Sequence, residues 1–278
     1  MGANIKQIKT RIKSVDSTLH ITKAMQLVAS SKIRHAQAAN EGASAYASAM
    51  TEAVDRMISR ENADSIFVSP PRTGVACCIL IAGDRGLAGG YNSNVFRLCA
   101  EELKKGPHLF VPIGRRAADY AARNRLSLLT EAAYSSERFS EADAAALSEL
   151  LLRAYRDCRF DTVKVIGTRI RSVLLQEPQV TVLLPRPMRE DKSRDILYEP
   201  DAATVMGRAM PDYLVARLTA SVRESFLSEL FARRSAMDSA SQNAEDMIEK
   251  LELLFNRARQ SSITQEITEI VAGSEGQV

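Results

Sequence analysis

The 278-residue chain is 45% hydrophobic, enough for a packed core of one large domain or two modest ones, and general disorder is excluded. No apolar run approaches the roughly 20 residues that span a bilayer, and Met1 to Arg11 lacks the apolar stretch of a secretory signal. The net charge of +3 is uneven: residues 1–35 hold seven Lys or Arg against the single acid Asp16, about +6, which leaves about −3 for the remainder. A basic end of this kind suits a solvated helix face, a nucleic-acid backbone or an acidic protein surface. With no Trp and 5% aromatic residues, helix is expected to dominate.

The first predicted element is a helix over residues 1–60. Positions alternating by three and four are Ile5, Ile8, Ile12, Val15, Leu19, Thr22, Gln26, Ala29, Ile33, Ala36, Asn40, Ala43, Ala47, Met50, Val54 and Met57, and of these only Thr22, Gln26 and Asn40 are polar. The stripe has no proline and keeps Gly42 off its seam, so it predicts an unbroken coiled-coil helix, roughly 80 Å long at 1.5 Å per residue.

From about 72 to 187 the texture changes to strands alternating with helices, which predicts a small, mainly parallel α/β domain. Val75 to Ala82 reads as a strand that runs into the glycine-rich Gly83–Gly90, followed by helix to about Lys105, a strand from Leu109 to Ile113 and a helix from Arg115 to Arg123. Ser140 to Asp143 resembles a capping box opening a helix that buries Leu147, Leu150, Leu151 and Ala154. Thr162–Ile166, Ser172–Gln176 and Thr181–Leu184 read as three further strands.

After a connecting segment at 188–210, Pro211 suits the first turn of a second long helix, over 211–278, with Gly273 as its stop. Its stripe is Leu227, Leu230, Met237, Ala240, Ala244, Met247, Leu251, Leu254 and Ala258, then Ile263, Ile267 and Ile270. Two helices this long cannot bury their stripes on a compact core, so they pair with each other. The expected fold class is therefore α/β with a long α-helical coiled coil: an antiparallel pair of the terminal helices carrying an inserted Rossmann-like α/β domain.

Little in the sequence points to bond chemistry. The glycine-rich loop lacks Gly-Lys-Ser/Thr and lacks G-x-G-x-x-G spacing, so it reads as a tight strand-to-helix turn, with glycines for positive φ and Asp84 or Arg85 for local pairing or a partner. His20, His35 and His108 are scattered away from any metal-ligand offset, and Glu141 and Asp143 fit helix stabilisation better than acid–base work. Cys77, Cys78, Cys99 and Cys158 show neither zinc spacing nor C-x-x-C, and three sit in apolar surroundings, which suits a reducing, cytoplasmic compartment. No catalytic residue, cofactor or metal site is expected. A coiled-coil DNA binder using the basic N-terminal helix is the contrasting reading, and the inserted α/β domain argues against nucleic acid as a partner.

Several long motifs resemble the gamma subunit of F-type ATP synthases: residues 8–15 and 21–32, Ala236–Ala240, Asn256–Gln260 running into Ile263–Val271, Gly83–Asn92, and Tyr198-Glu199-Pro200-Asp201. The resemblance covers essentially the whole chain. It departs from the family pattern at His20, Ala88 and Arg234, and the cysteine-bearing regulatory segment of chloroplast forms is not visible; with no transit peptide seen, a bacterial source is expected. The resemblance implies a central rotor shaft inside a ring of three alpha and three beta subunits, with the epsilon subunit and the membrane c-ring as further partners. Such a shaft couples proton flow to ATP synthesis and regulates ATPase activity, as a peripheral protein on the cytoplasmic face of the cell membrane. It further implies that Lys23, Met25, Arg259 and Gln260 meet the beta subunits and that Tyr198 and Glu199 meet the membrane ring.

Overall fold

A computed structural model describes residues 2–58, 65–188 and 198–275, with side chains from Ile5 to Thr268 within them. The last two positions of the predicted N-terminal helix, and 189–197 of the connecting segment, lie outside the described residues. The elements in order are α1 (Gly2–Met57), β1 (Ala76–Ile81), α2 (Tyr91–Leu103), β2 (His108–Ile113), α3 (Arg115–Arg123), α4 (Glu141–Arg156), β3 (Thr162–Ile170), β4 (Gln176–Leu184) and α5 (Ala202–Glu275). They divide into two bodies, residues 1–29 with 234–278, and residues 30–233.

In the first body α1 and α5 run antiparallel. The Thr22 and Ser241 hydroxyls bond at 2.8 Å, Gln26 donates to Asp238 at 2.7 Å and Lys23 pairs with Glu245 at 2.6 Å. Every α1 stripe position from Ile5 to Ala29 is buried or half-buried here, as are those from Ile33 to Met57 in the second body. The α5 stripe needs correcting: Met237, Ala244 and Leu251 are buried as expected, but Met247, Leu254, Ile263 and Ile267 are exposed. Ser241 is buried in the seam instead, and Ile248, Phe255 and Ser262 are half-buried. Both readings keep a three–four alternation and share Met237, Ala244, Leu251 and Ala258. Facing Thr22, a serine completes a buried hydrogen bond that an alanine cannot, so the polar pair agrees with the seam through Ser241.

In the second body the sheet order is β2-β1-β3-β4, with β1 parallel to β2 and β3, and β3 antiparallel to β4. Residues 76–81 are all buried because both faces of β1 are covered, as its unbroken apolar run requires. Cys77, Ile79 and Ile81 face a core with Leu147 and Leu151 of α4 and Met210, Tyr213, Leu214 and Leu218 of α5. Cys78 and Leu80 face Val95 and Cys99 of α2 and Ala117 of α3. Each aliphatic side chain so buried contributes about 1.5–3 kcal/mol, and cutting one such as Ile79 to Ala would cost about 2–5 kcal/mol. The capping box is present, Ser140 Oγ accepting from the Asp143 amide at 3.1 Å while Asp143 accepts from the Ser140 amide at 2.8 Å. Here too α1 and α5 are antiparallel: Ile33 packs with Leu227 and Leu230, and Ala47 with Ala216 and Ala220, small side chains that let the backbones approach.

Three boundaries differ from expectation. α5 begins at Ala202 and carries Pro211 inside it, because Asp201 caps the helix by accepting from the Thr204 amide at 2.8 Å and the Thr204 hydroxyl at 2.7 Å. It also runs past Gly273 to Glu275; an internal glycine weakens a helix by about 1 kcal/mol without ending it. The strand expected at Ser172–Gln176 falls on the turn at 171–175 and reaches β4 only at Gln176, while the one expected at Thr181–Leu184 begins earlier, at Gln176, as β4, hairpinned to β3. Pro178 lies within β4, and a residue without an N–H is tolerated there because β4 is the sheet edge.

Of the four cysteines only Cys158 is exposed. Burial pushes the Cys99 thiol up to about 11 and the Cys78 thiol up to about 12, and drives that of Cys77 upward as well, so none supplies a reactive thiolate at neutral pH. Iodoacetamide at pH 8 is therefore expected to add one label to the native chain, at Cys158, and four after denaturation; intact-mass and peptide mapping check this, and rapid native labelling of Cys78 or Cys99 would contradict the packing.

Candidate functional site

The glycine-rich loop joins β1 to α2 in the place where many α/β proteins hold a phosphate. The loop's own acid instead turns to the neighbouring helix α3 and to residues 135–137. The Asp84 carboxylate accepts from the Arg115 amide at the start of α3 (3.0 Å), from the Glu137 amide (3.1 Å), and from the hydroxyls of Ser135 (2.7 Å) and Ser136 (3.2 Å). Burial pushes this carboxyl up, but the four hydrogen bonds together outweigh it and hold the group below the usual Asp range. Glu137 in turn pairs with Lys32 of α1. Arg85, the other residue singled out in the loop, is exposed.

The loop's glycines serve two ends. Gly89 has φ 55, a left-handed conformation glycine adopts without strain, although Leu87 beside it also has φ 61. Gly83 permits contact with α5: a Cβ there would lie 2.6 Å from a Glu229 carboxylate oxygen. Glu229 is 3% exposed and pairs with Arg233 one turn on, while Arg233 also donates to the Gly86 carbonyl at 3.3 Å. Burial raises the Glu229 carboxyl and the Arg233 charge opposes that rise. Tyr91 donates to the Ser225 carbonyl at 2.9 Å, and Ser225 Oγ accepts from the Thr168 amide at 3.2 Å. The loop therefore grips α5 over residues 225–233.

Within the body formed by 1–29 and 234–278, Lys23 and Met25 lie level with Asp238–Glu245, Lys23 half-exposed in its pair with Glu245 and Met25 half-buried. Arg259 and Gln260 are exposed beside a groove lined by Gln7, Ile8, Arg11, Leu251, Leu254 and Arg257. The four residues thus fall into two pairs about 25 Å apart along the helix at 1.5 Å per residue. Exposed apolar side chains accompany them: Ile21, Leu27 and Val28 on α1, and Met247, Leu253, Leu254, Ile263 and Ile267 on α5. Tyr198 and Glu199 precede the Asp201 cap of α5, Tyr198 half-buried and Glu199 exposed.

Sequence reasoning missed the Glu229–Arg233 pair, the Asp201 cap and the Ser241 seam position. The i,i+4 spacing of the first and the Asp-x-x-Thr spacing of the second were the available signals. Among the described residues no group of three or more His, Cys, Asp or Glu is placed to hold a metal, and no helix is long and apolar enough to cross a membrane.

The sequence profile of the family described as ATP synthase matches residues 4–276. The ATP synthase gamma chain of Ruminococcus albus is 39% identical over 280 residues, covering 98% of both chains. That of Acetobacterium woodii, named as sodium ion specific, is 35% identical over 99% of each. Among solved structures, a chain from the Euglena gracilis mitochondrial ATP synthase matches in fold with a TM-score of 0.69 at 16% identity, over 99% of this chain and 95% of that one. The chain belongs to the ATP synthase gamma chain family.

Asp84→Ala removes one acceptor from four donors and is expected to cost about 2–3 kcal/mol of stability. Because the folded carboxyl titrates below its unfolded value, its contribution is complete above the ordinary Asp range and is lost as pH falls through the folded value. Urea melts of the wild type and Asp84→Ala should therefore differ at pH 7 and converge toward pH 2; a constant gap would contradict the assignment.

Proposed function

We infer that the chain is the central rotor shaft of an F-type ATP synthase, turning inside a ring of three alpha and three beta subunits and coupled to an ion-driven c-ring, with the epsilon subunit beside it. The observation that carries this reading is the match over nearly the whole chain to gamma chains at 35–39% identity. The outward apolar side chains of both helices support it, since a free rod would leave them in water. A single asymmetric shaft within a threefold ring presents a different face to each beta subunit. Coupling then follows from free energy: the shaft contacts the three catalytic states unequally, and each rotation step exchanges those states.

The shaft itself does no bond chemistry and is peripheral to the membrane on its cytoplasmic face. The glycine-rich loop, which lacks Gly-Lys-Ser/Thr and G-x-G-x-x-G spacing, supports that reading. Calorimetry on the purified chain is expected to give no heat with ATP at micromolar concentrations; stoichiometric binding would overturn it.

Lys23, Met25, Arg259 and Gln260 meet the beta subunits, and Tyr198 and Glu199 meet the polar loops of the membrane ring. Lys23 is partly neutralised by Glu245, whereas Arg259 has no ion-pair partner among the described residues and is available as a fork for a carboxylate. Met25→Lys adds a cation beside Lys23 and shifts the balance among rotary states. In the complex co-expressed with all its subunits, Met25→Lys is expected to lower ion pumping per ATP more than assembly. Arg259→Ala with Gln260→Ala is expected to lower turnover about tenfold, and Glu199→Lys to weaken ring binding and pumping. Measuring assembly, hydrolysis and pumping on one preparation separates these effects; wild-type values throughout would leave the residues as passive surface, and failure of the wild-type chain to assemble would remove the shaft reading.

A further inference from the structure

A cavity of about 510 Å³ lies in the second body where α1, α5 and the start of α4 meet, within the usual size range of small-ligand sites. Its floor is small and apolar, formed by Ala39, Gly42, Ala43 and Ala216, and a methyl group at Gly42 would meet nothing within 4 Å. The chain leaves the polar groups there incomplete. Thr219, in the wall, is 7% exposed and its hydroxyl has no hydrogen-bond partner; Asn40, next to Ala39, likewise keeps its Oδ1 buried and unbonded. Buried polar atoms are nearly always bonded, so an orphan beside a cavity calls for a partner within it. Two charges face the same space. Arg223 donates from Nη1 to the Ala39 carbonyl at 3.2 Å, which holds its guanidinium over α1. Glu141 opens α4, and the Ser148 hydroxyl ties that helix to α5 by donating to the Pro211 carbonyl at 3.1 Å. Neither charge has an ion-pair partner among the described residues, so the two line one cavity without pairing across it.

We propose that this cavity is a binding site for a small zwitterion with a flat apolar body, the chemical class of the aromatic α-amino acids. The ligand's carboxylate accepts from Arg223 and from the Thr219 hydroxyl, which lie one turn apart on the same face of α5, about 6 Å along the axis. A carboxylate has the lone pairs to take both donors, and the guanidinium keeps free N–H groups after its bond to Ala39. The ammonium meets Glu141. An aromatic ring rests on the alanine floor beside Tyr46, whose own ring is 54% exposed at the cavity wall. The charges decide against simpler occupants. A plain anion would face Glu141 unpaired and a plain cation would face Arg223 unpaired, whereas a zwitterion complements both. Water alone would satisfy the Thr219 hydroxyl but would gain nothing from the floor or the Tyr46 ring. All these residues lie within 30–233, so the site stands independently of the reading of the chain as a shaft. A ligand that touches α1, α4 and α5 at once binds only the folded arrangement and stabilises it by mass action.

The test uses the full-length chain with L-phenylalanine as the probe, read by saturation-transfer NMR and by thermal melting. Saturation is expected to pass from the protein to the ring protons of the amino acid, and the melting temperature is expected to climb as the amino acid is added. On the wild-type chain, 3-phenylpropionate, which lacks the ammonium, and 2-phenylethylamine, which lacks the carboxylate, should each bind at least tenfold more weakly. Thr219→Val removes only the orphan hydroxyl, Glu141→Gln only an exposed charge, and Gly42→Met fills the cavity from a helical position that tolerates a side chain. Each variant should melt close to wild type without ligand and lose at least tenfold in affinity for L-phenylalanine; the analogue comparison decides the matter even for a variant that fails to fold. No saturation transfer at amino-acid concentrations on the order of 10 mM would overturn the site. So would equal binding of the two analogues, undiminished binding in the three variants, or a crystal grown with L-phenylalanine that holds only water between Thr219 and Arg223.

Discussion

An apolar stripe on a helix of 56 or 74 residues is longer than any compact domain can cover, and the rest of the structure answers to that constraint. The helices cover each other, head to tail, and the contact is kept thin by alanine where Ala47 meets Ala216. Because alanine contacts bury little area, the pair cannot draw all its stability from packing alone. Polar links at defined levels, Thr22 to Ser241 and Gln26 to Asp238, add directionality that a purely apolar seam lacks. A slip of one turn along the seam would leave the Ser241 hydroxyl buried without its Thr22 acceptor, at about 1–3 kcal/mol, while Thr22 keeps its bond to the Leu19 carbonyl, so register is specified as well as pairing.

The α/β domain meets the same helices with different chemistry. Its glycine-rich loop sends the Asp84 carboxylate to the start of α3 and to residues 135–137, and uses the absence of a side chain at Gly83 to bring the loop against Glu229. The buried Glu229–Arg233 pair is a modest source of stability, since desolvation offsets most of the charge attraction. Its effect is selective: with either partner removed, the other charge would stay buried at the contact between loop and helix, so the loop has one favourable seat on α5.

Much of this was legible in the sequence. The α1 stripe was readable to the residue because a 3.5 repeat sustained over many turns admits one solution, and the Ser140–Asp143 box announced α4. The second stripe was ambiguous because two alternations share every other position, and only the partner helix, through Thr22, separates them. Pro211 misled because its preference for a first turn is weaker than the cap made by Asp201, ten residues earlier. The start of β4 was placed late, at Thr181 instead of Gln176, because its edge position, which accommodates Pro178, is a property of the sheet and cannot be seen from one strand. At the surfaces proposed to meet the beta subunits, the residue types at Lys23 and Arg259 were visible, but the Glu245 partner that separates their electrostatics comes from the other helix.

The edge position of β4 also bears on the life of the chain before it finds its partners. An unpaired strand edge is a template on which another chain can add a strand, and a subunit made singly and assembled later is exposed to that hazard in the crowded cell. Pro178, set near the start of β4, lacks the N–H that an added strand would need and interrupts the ladder there. The proline that obscured the strand in the sequence thus works as a guard against sheet-to-sheet polymerisation, keeping the newly made subunit dispersed until it is incorporated.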